Sequence, residues 1–445
     1  MKIKLIHVSF NKSIGELVHF NKRPKNIMIP SLGLLILAAL TDKEHEVILV
    51  NDDFEEIDYN DHVDLVGISF ITPTSIRAYS IADRFRKKGV TVVFGGVHAS
   101  ALPEEAGMHC DSIVIGEGEN IWPQLLEDFK NNRLQKVYRN KGFIDVNSIP
   151  IPRRDLLKKE HYVTTNILQA SRGCPMKCEF CSVSELFGTI TRFRSIDKVL
   201  EEIKTLDDQL IIFSDDNLAS NITYSRELFR MMIPLKRKWI GEASWTIMED
   251  PELLDIMKKS GCQALLIGFE SLHHQDNIKK LSHDKEMKVI YQEVINRIHK
   301  KGIVIFGTFI FGFDNDNYDV FNETLNFILK SRIEFVSLAP LVPYPGTPLQ
   351  KRLGKENRII ETDWCKYIYD PPGVCFEPVG LTKDQIRDNL KMMYKKIYSI
   401  RRIFFFTLRM LKRYRNINTV IRLMFISLSL RKRNRFEWFE PALRK

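Results

Sequence analysis

The most informative stretch of the sequence reads Arg172-Gly-Cys174-Pro-Met-Lys-Cys178-Glu-Phe180-Cys181. It follows residues 167–170 directly, a short apolar run with the pattern of a buried strand. Three of the seven cysteines of the chain fall in this stretch, in the spacing Cys-x3-Cys-x2-Cys. One loop at the end of a strand therefore supplies three thiolates, and we interpret Cys174, Cys178 and Cys181 as ligands of one inorganic group.

Three thiolates match a cubane [4Fe–4S] cluster, because they leave one of its four irons without a protein ligand. The amino and carboxylate groups of S-adenosylmethionine (SAM) can chelate that iron, and one electron then cleaves the sulfonium. The alternatives are a zinc site or three unrelated core cysteines. Zinc takes four ligands and prefers paired Cys-x2-Cys elements, so the pattern favours the cluster.

The remaining cysteines are scattered, and their number does not fit the even-numbered disulfide framework of a small secreted protein. We interpret these four as buried free thiols: Cys110, Cys262, Cys365 and Cys375. The N-terminus reads as a strand, interrupted by polar residues before a signal-peptide core could form. We therefore expect a cytoplasmic protein.

The positive charge is concentrated near the C-terminus. The 445-residue chain has a net charge of +10, and fourteen Lys or Arg but no Asp or Glu lie between Lys391 and Arg435. The rest of the chain is therefore mildly acidic, with a net charge of −4 by subtraction. This distribution argues against a body that binds nucleic acid and favours a tail with its own anionic partner.

The pattern of apolar runs predicts an α/β protein with two β/α domains and a helical tail. Strand-like and helical segments alternate up to about residue 130, which predicts a doubly wound parallel sheet with ligands at the carboxyl ends of its strands. Six further β/α units from about residue 166 predict a partial or complete β/α barrel. The expected boundaries are 1–135 for the first domain, 136–160 for a linker, 161–380 for the barrel and 381–445 for the tail.

The cysteine spacing, the aromatic Phe180 and the downstream β/α units resemble the radical SAM enzymes. The resemblance covers about residues 166–348. It implies that polar residues after the second and fourth barrel strands contact SAM, here Ser214, Asp215, Asp216 and Glu270.

The N-terminal motifs resemble the branch of that superfamily that has a cobalamin-binding domain of Rossmann-like fold. They are Pro30-Ser-Leu-Gly-Leu-Leu, Asp64-Leu-Val-Gly-Ile-Ser69, Gly95-Gly-Val-His98, Pro103-Glu-Glu and Gly116-Glu-Gly-Glu119. The resemblance implies that cobalamin is contacted by Ser69, Thr72, Gly95, Gly96, His98, Gly116 and Glu117. The signature Asp-x-His-x-x-Gly, which supplies an axial histidine to cobalt, is absent, so the resemblance is to members that bind cobalamin without that ligand.

The resemblance implies methylation of an unactivated carbon: a 5′-deoxyadenosyl radical removes a hydrogen atom, and methylcobalamin supplies the methyl group. The implied partners are a small-molecule or lipid substrate of hydrophobic or natural-product type and a cellular one-electron reductant. Hopanoid methylases belong to this branch, but the sequence does not identify the substrate. Cyclisation without methyl transfer is the alternative reaction. A third possible function is that of a non-catalytic sensor that binds the cluster or cobalamin.

The basic tail allows two interpretations. Aromatic and aliphatic residues alternate with arginine and lysine over residues 391–435, which is typical of a helix lying on an anionic membrane surface. The same pattern fits a helix packed on the barrel with its arginines in solvent. Amphipathicity alone does not separate them, and RNA binding is disfavoured because no base-stacking module is visible.

Overall fold

The computed structural model describes residues 1–13, 29–207, 209–273, 286–368, 373–413 and 417–433. Contacts divide the chain into two compact units. The first unit comprises Met1–Ser214, Pro343–Glu356 and Glu361–Tyr367, and the second comprises Asp215–Val342, Asn357–Ile360 and Ile368–Lys445. The predicted domain boundaries stay a prediction, because this division follows packing rather than motifs.

A parallel six-stranded sheet forms the centre of the first unit, in the order β2-β1-β3-β4-β5-β6. Its strands are β1 (Lys2–His7), β2 (Glu46–Asn51), β3 (Leu65–Ser69), β4 (Thr91–Gly95), β5 (Ser112–Ile115) and β6 (Val137–Arg139). The helices between them are α1 (Phe10–Ser13), α2 (Leu32–Leu40), α3 (Ser75–Arg86), α4 (Val97–Ala101), α5 (Pro103–Ala106) and α6 (Trp122–Lys130). The predicted doubly wound sheet is confirmed.

Alternating strand residues bury both faces of this sheet. In β1, Ile3 and Leu5 pack with Leu34 of α2 and Trp122 of α6. Ile6 belongs to the core on the opposite face, with the apolar side of α3. Because successive strand side chains point to opposite faces, apolar residues at both odd and even positions of β1 pack against both layers.

The first unit also holds the beginning of the second β/α series. Its strands are β7 (Ile167–Leu168), β8 (Ser171–Arg172), β9 (Arg192–Phe193) and β10 (Leu210–Phe213), and its helices are α7 (Ser182–Phe187) and α8 (Ile196–Lys204). β7 and β10 pair in parallel, whereas β8 and β9 form a short antiparallel ladder.

In the second unit, four neighbouring parallel strands continue the series. They are β11 (Lys238–Ser244), β12 (Cys262–Glu270), β13 (Val304–Phe311) and β14 (Phe335–Pro340). The intervening helices are α9 (Ile222–Met232), α10 (Pro251–Lys259), α11 (Met287–Lys300) and α12 (Asp319–Ser331). The six predicted β/α repeats are therefore present, which confirms the predicted α/β class. Helix α13 (Pro348–Lys355) belongs to the first unit.

Three helices form the tail: α14 (Lys383–Ile397), α15 (Ile400–Arg413) and α16 (Ile417–Arg433). The hydroxyls of Tyr394 and Tyr398 accept hydrogen bonds from the β14 amides of Leu338 and Val336, at 2.8 and 3.0 Å. These contacts satisfy backbone groups of β14 that the neighbouring β13 does not. Within the described part of the chain, no helix is long and apolar enough to cross a bilayer.

The largest departures from expectation are short elements. β6 lies inside the range predicted as a linker, and it extends the first sheet by pairing with β5. β8 and β9 have two residues each, too few for a period-two pattern to be visible in the sequence.

Candidate functional site

The carboxyl ends of the strands in the first sheet border a cavity of about 380 Å³. Strand order reverses between β1 and β3, and ligands in open α/β sheets bind at such a switch point. Lining residues include His7, Val8, Gly33, Ser69, Phe70, Gly95, Gly96, Gly116, Glu117, Gly118, Glu119, Gln169, Arg172, Phe187 and Ser214. All of them belong to the first unit. Of the predicted site residues, the cavity brings together Ser69, Gly95, Gly96, Gly116, Glu117 and Ser214.

Glycine is required at one point of this border and leaves space at others. Gly96 has a φ of +96°, and an added Cβ would lie 2.8 Å from both the Phe70 carbonyl oxygen and Ser69 Oγ. At Gly33 and Gly116 an added Cβ would meet nothing within 4 Å. A glycine-lined, largely apolar border with open space beside its backbone fits a broad, flat cofactor such as cobalamin.

Two predicted cobalamin contacts lie behind the cavity border instead of on it. His98 is fully buried, with Nδ1 3.1 Å from Thr72 Oγ1 and Nε2 3.1 Å from the Tyr79 hydroxyl. Burial lowers the pKa of His98, which favours the neutral imidazole. The Tyr79 hydroxyl donates to Glu105 at 2.9 Å, and the Trp364 indole donates to the same carboxylate at 2.9 Å. Thr72 and His98 thus belong to a buried network under the loop that carries Gly96.

The three clustered cysteines lie on the segment that connects β8 to α7. Gly173 has a φ of +92°, and an added Cβ would lie 2.8 Å from the Ile190 carbonyl oxygen. The segment is therefore closely packed on its own continuation. Cys181 is the N-cap residue of α7, and its amide donates to the Cys178 carbonyl at 3.1 Å.

Exposure separates these cysteines from most of the others. Cys174, Cys178, Cys181 and the predicted neighbour Phe180 are half-buried, and no cysteine of the chain forms a disulfide. Cys110 and Cys262 are fully buried, and burial raises the pKa of the Cys110 thiol to about 11. Deprotonated thiols are the metal ligands, so the half-buried set is chemically the better donor set. Among the described residues, no three His, Cys, Asp or Glu side chains are grouped to hold a single metal ion.

Helix α13 fixes one side of the cysteine segment. The Leu349 amide donates to the Glu179 carbonyl at 2.9 Å, and Arg352 Nη2 lies 3.0 Å from Glu179 Oε1. Glu179 and Arg352 were not predicted, because the two residues are far apart in sequence.

In the second unit, carboxylates collect at the strand ends. Asp215 and Asp216 are the first residues of this unit and follow β10 after Ser214. Glu270 ends β12 with a φ of +60° at a β-bulge. Glu242 of β11 was not predicted. Burial, together with the negative charges of Glu270 and Asp216, raises the pKa of Glu242 to about 8. A glutamate inside the otherwise apolar run of β11 was the available signal.

Two models of known families match parts of this chain, and curated relatives match most of its length. The model of the Radical SAM superfamily matches residues 168–328, and that of the B12 binding domain matches residues 27–126. Bacteriochlorophyllide d C-12(1)-methyltransferase of Chlorobaculum tepidum is 32% identical over 82% of either chain. Hopanoid C-2 methylase of Rhodopseudomonas palustris is 25% identical, over 81% of this chain and 72% of its own.

A solved structure shares the fold. The radical SAM methyltransferase TsrM from Kitasatospora setae, solved with cobalamin and a [4Fe–4S] cluster bound, matches with a TM-score of 0.62 at 15% identity. The match covers 81% of this chain and 79% of that one.

Proposed function

Because the chain belongs to the radical SAM superfamily and carries its B12 binding domain, we propose that it methylates an unactivated carbon on a large hydrophobic ring system of tetrapyrrole type. The observation that carries this substrate class is the 32% identity, over 82% of both chains, to a bacteriochlorophyllide d methyltransferase. The relation to a hopanoid methylase supports the broader class of hydrophobic ring substrates. The reaction also requires a small-molecule methyl donor and a one-electron reductant.

The two cofactor sites draw on different residues of the first unit. Cys174, Cys178 and Cys181 would hold the cluster, and the glycine-rich border at Ser69, Gly95, Gly96 and Gly116 would hold cobalamin. When bound, the cluster with SAM supplies hydrogen-atom abstraction, and cobalamin supplies the methyl group.

Each unit, taken by itself, has side chains that suit this chemistry. Phe70, Phe187 and neighbouring apolar residues of the cavity keep water away from a reactive carbon. Glu242, with a pKa of about 8, is mainly protonated at neutral pH and can donate a hydrogen bond without adding a negative charge beside Glu270 and Asp216.

Anaerobic turnover with SAM carrying a deuterated methyl group tests this proposal. The reconstituted protein, a reductant and bacteriochlorophyllide d should yield 5′-deoxyadenosine, S-adenosylhomocysteine and a product that has gained the label. Cys174→Ala should form none of these, whereas Cys365→Ser, outside the cysteine cluster, should form all three. A product that has lost hydrogen without gaining the label would establish cyclisation instead. Formation of 5′-deoxyadenosine with every hydrophobic ring substrate unlabelled and unchanged would contradict the proposal.

We also propose that the tail places this enzyme at an anionic membrane surface. One face of α15 and α16 is packed: Phe406, Met410 and Val420 are buried with Val304 and Phe335 of the strands. The remaining surface of the two helices has ten large apolar side chains that are at least 38% exposed: Ile400, Phe404, Phe405, Leu408, Leu411, Ile417, Ile421, Phe425, Ile426 and Leu428.

Charge supports lipid as the occupant of that surface. The segment from Lys391 to Arg435 has fourteen basic residues and no acidic ones, which complements anionic headgroups. Exposed aromatic and aliphatic side chains on a basic helix pair are typical of interfacial binding. Such placement would bring the enzyme to the compartment in which a hydrophobic substrate dissolves.

Vesicle co-sedimentation tests the membrane contact. Point variants serve better than removal of the tail, because Tyr394 and Tyr398 of α14 bond to β14. The full chain should bind phosphatidylglycerol vesicles at low salt and lose affinity as salt rises. The double variant F404S/F405S should bind about tenfold more weakly. Val379→Ser, which removes a 67% exposed valine outside the tail helices, should bind like the unmodified chain. Equal binding of all three proteins, or binding by none, would contradict the membrane contact.

A further inference from the structure

Glu117 occupies the centre of a buried ionic network. Its side chain is 1% exposed and lies in the loop after β5, beside Gly116 on the cavity border. Oε1 accepts a hydrogen bond from Arg172 Nη1 at 2.8 Å. Oε2 accepts from Arg192 Nη1 at 2.9 Å and from the Ile144 amide at 3.0 Å. Both oxygens of the carboxylate are therefore engaged.

The two arginines stand at the two ends of the cysteine segment. Arg172 and Arg192 are directly opposite each other in the β8–β9 ladder, and residues 173–191 form the connection between these strands. All three clustered cysteines belong to that connection. A single carboxylate from the cavity border thus holds both ends of the loop that would bind the cluster.

The network is charge-balanced. Arg172 Nη1 also lies 2.8 Å from Glu119 Oε1, so two arginines face two glutamates. Burial lowers the pKa of Arg172, but Glu119 and Glu117 outweigh it, and the guanidinium pKa lies above its ordinary value. Arg192 Nη1 donates to the Ile144 carbonyl at 2.9 Å as well. Buried ion pairs contribute little net stability over apolar packing but are costly to break singly, so they fix relative positions.

This network lies on the cavity border, where a bound ligand would contact it. Glu117, Glu119 and Arg172 all line the cavity, next to the open space at Gly116. A cofactor that presses on the Gly116 backbone acts on the carboxylate that clamps the cysteine loop. The connection requires no motion of a whole domain, because a single loop makes both contacts.

We propose that Glu117 is a positioning residue that couples the two cofactor sites, so that cobalamin in the cavity stabilises the cluster on the cysteine loop. This inference rests on the proposed function, since both cofactors must bind. Coupling between binding sites is reciprocal, so the cluster raises cobalamin affinity by the same factor.

Cluster loss to an iron chelator measures this coupling without SAM, substrate or turnover. In the full chain reconstituted with iron and sulfide, a saturating concentration of hydroxocobalamin should slow the loss of the cluster absorbance about tenfold, within the usual range of such couplings. Glu117→Gln keeps the size and one acceptor oxygen but removes the charge. It should bind both cofactors. Its cluster should be lost at nearly the same rate with and without hydroxocobalamin. Glu119→Gln, which leaves both arginines on Glu117, should retain most of the protection.

Two further measurements make the test decisive. If Glu117→Gln does not hold a cluster, the Arg192→Lys variant is tested in its place. Lysine keeps the charge but loses the second hydrogen bond of the guanidinium. Cobalamin affinity of the unmodified protein, with and without cluster, should also differ about tenfold. Unchanged protection in the variants, or no protection in the unmodified protein, would overturn the coupling. Failure to bind cobalamin at all would instead remove the proposed function.

Discussion

Replacing Glu242 by glutamine should make the enzyme more stable at alkaline pH, with little effect at acidic pH. Burial and the charges of Glu270 and Asp216 raise the pKa of Glu242 from 4.5 to about 8 in the folded protein. Below pH 4.5 both the folded and the unfolded chain hold this proton. As pH rises toward 8, the unfolded chain loses the proton while the folded chain keeps it. The free energy of unfolding therefore decreases with rising pH.

The size of this effect follows from the same values. One proton contributes about 1.4 kcal/mol per pH unit, so the interval from 4.5 to about 8 gives an upper limit of about 5 kcal/mol. The Glu242 side chain is exposed to solvent, and water therefore screens much of the interaction, so we expect no more than about 2 kcal/mol. Glutamine imitates the protonated acid and removes this loss.

Unfolding by denaturant at pH 5, 6, 7 and 8 measures the difference. Glu242→Gln should match the unmodified protein at the lowest pH and exceed its stability increasingly at higher pH. Glu227→Gln, an exposed glutamate on α9, removes the same charge and should give a curve parallel to that of the unmodified protein. A difference between Glu242→Gln and the unmodified protein that stays constant across this range would refute the reasoning.

Three other changes have definite expected outcomes. Cys174→Ala should lower the amount of bound iron and abolish SAM cleavage, as measured by iron quantification and an anaerobic cleavage assay. Cys365→Ser should keep both. Equal iron in the two variants would be inconsistent with the cluster assignment. Gly96→Ala places a Cβ 2.8 Å from backbone and should cost about 1–3 kcal/mol and most cobalamin binding, whereas Gly33→Ala, in open space on α2, should gain up to about 1 kcal/mol. Chemical unfolding measures the stability of both variants, and cobalamin absorbance measures binding by Gly96→Ala. Equal changes in stability would contradict the requirement for glycine at position 96. Glu270 has a φ of +60°, a conformation that glycine adopts without strain, so Glu270→Gly should raise the free energy of unfolding by about 1 kcal/mol, as measured by thermal unfolding. The same variant should bind SAM more weakly in equilibrium dialysis. A loss of stability would show that the conformation is not strained.

The α/β architecture could be predicted from the sequence because its strands and helices are formed by segments with clear apolar periodicity. The predicted alternation of strands and helices is present in both β/α series, and helix α2 and strand β5 are two of its elements. Gly96 was identified through the motif that resembles the cobalamin-binding family, and its φ of +96° confirms that glycine is needed there. The cysteine loop could be predicted because the three proposed cluster ligands lie close together in the sequence.

Contacts between distant segments could not be predicted in this way. Glu117 and Arg172 are 55 residues apart, and no local sequence pattern around either residue predicts their ion pair. His98 occurs in a recognisable motif, but the motif does not show that the ring points away from the cavity into a buried network. The tail was ambiguous for a physical reason. Its helices are apolar on the packed face and on the exposed face, so periodicity supported both interpretations.

The β8–β9 connection also sets a limit on how this protein can be taken apart. Sequence motifs invite a cut near residue 135, between the cobalamin-binding region and the cysteines. Such a cut would strip β6 from the edge of the first sheet and leave Glu117 buried without its two arginines. The two cofactor regions are thus not interchangeable modules: exchange between relatives requires a segment that runs through Ser214, where the first compact unit ends its main span.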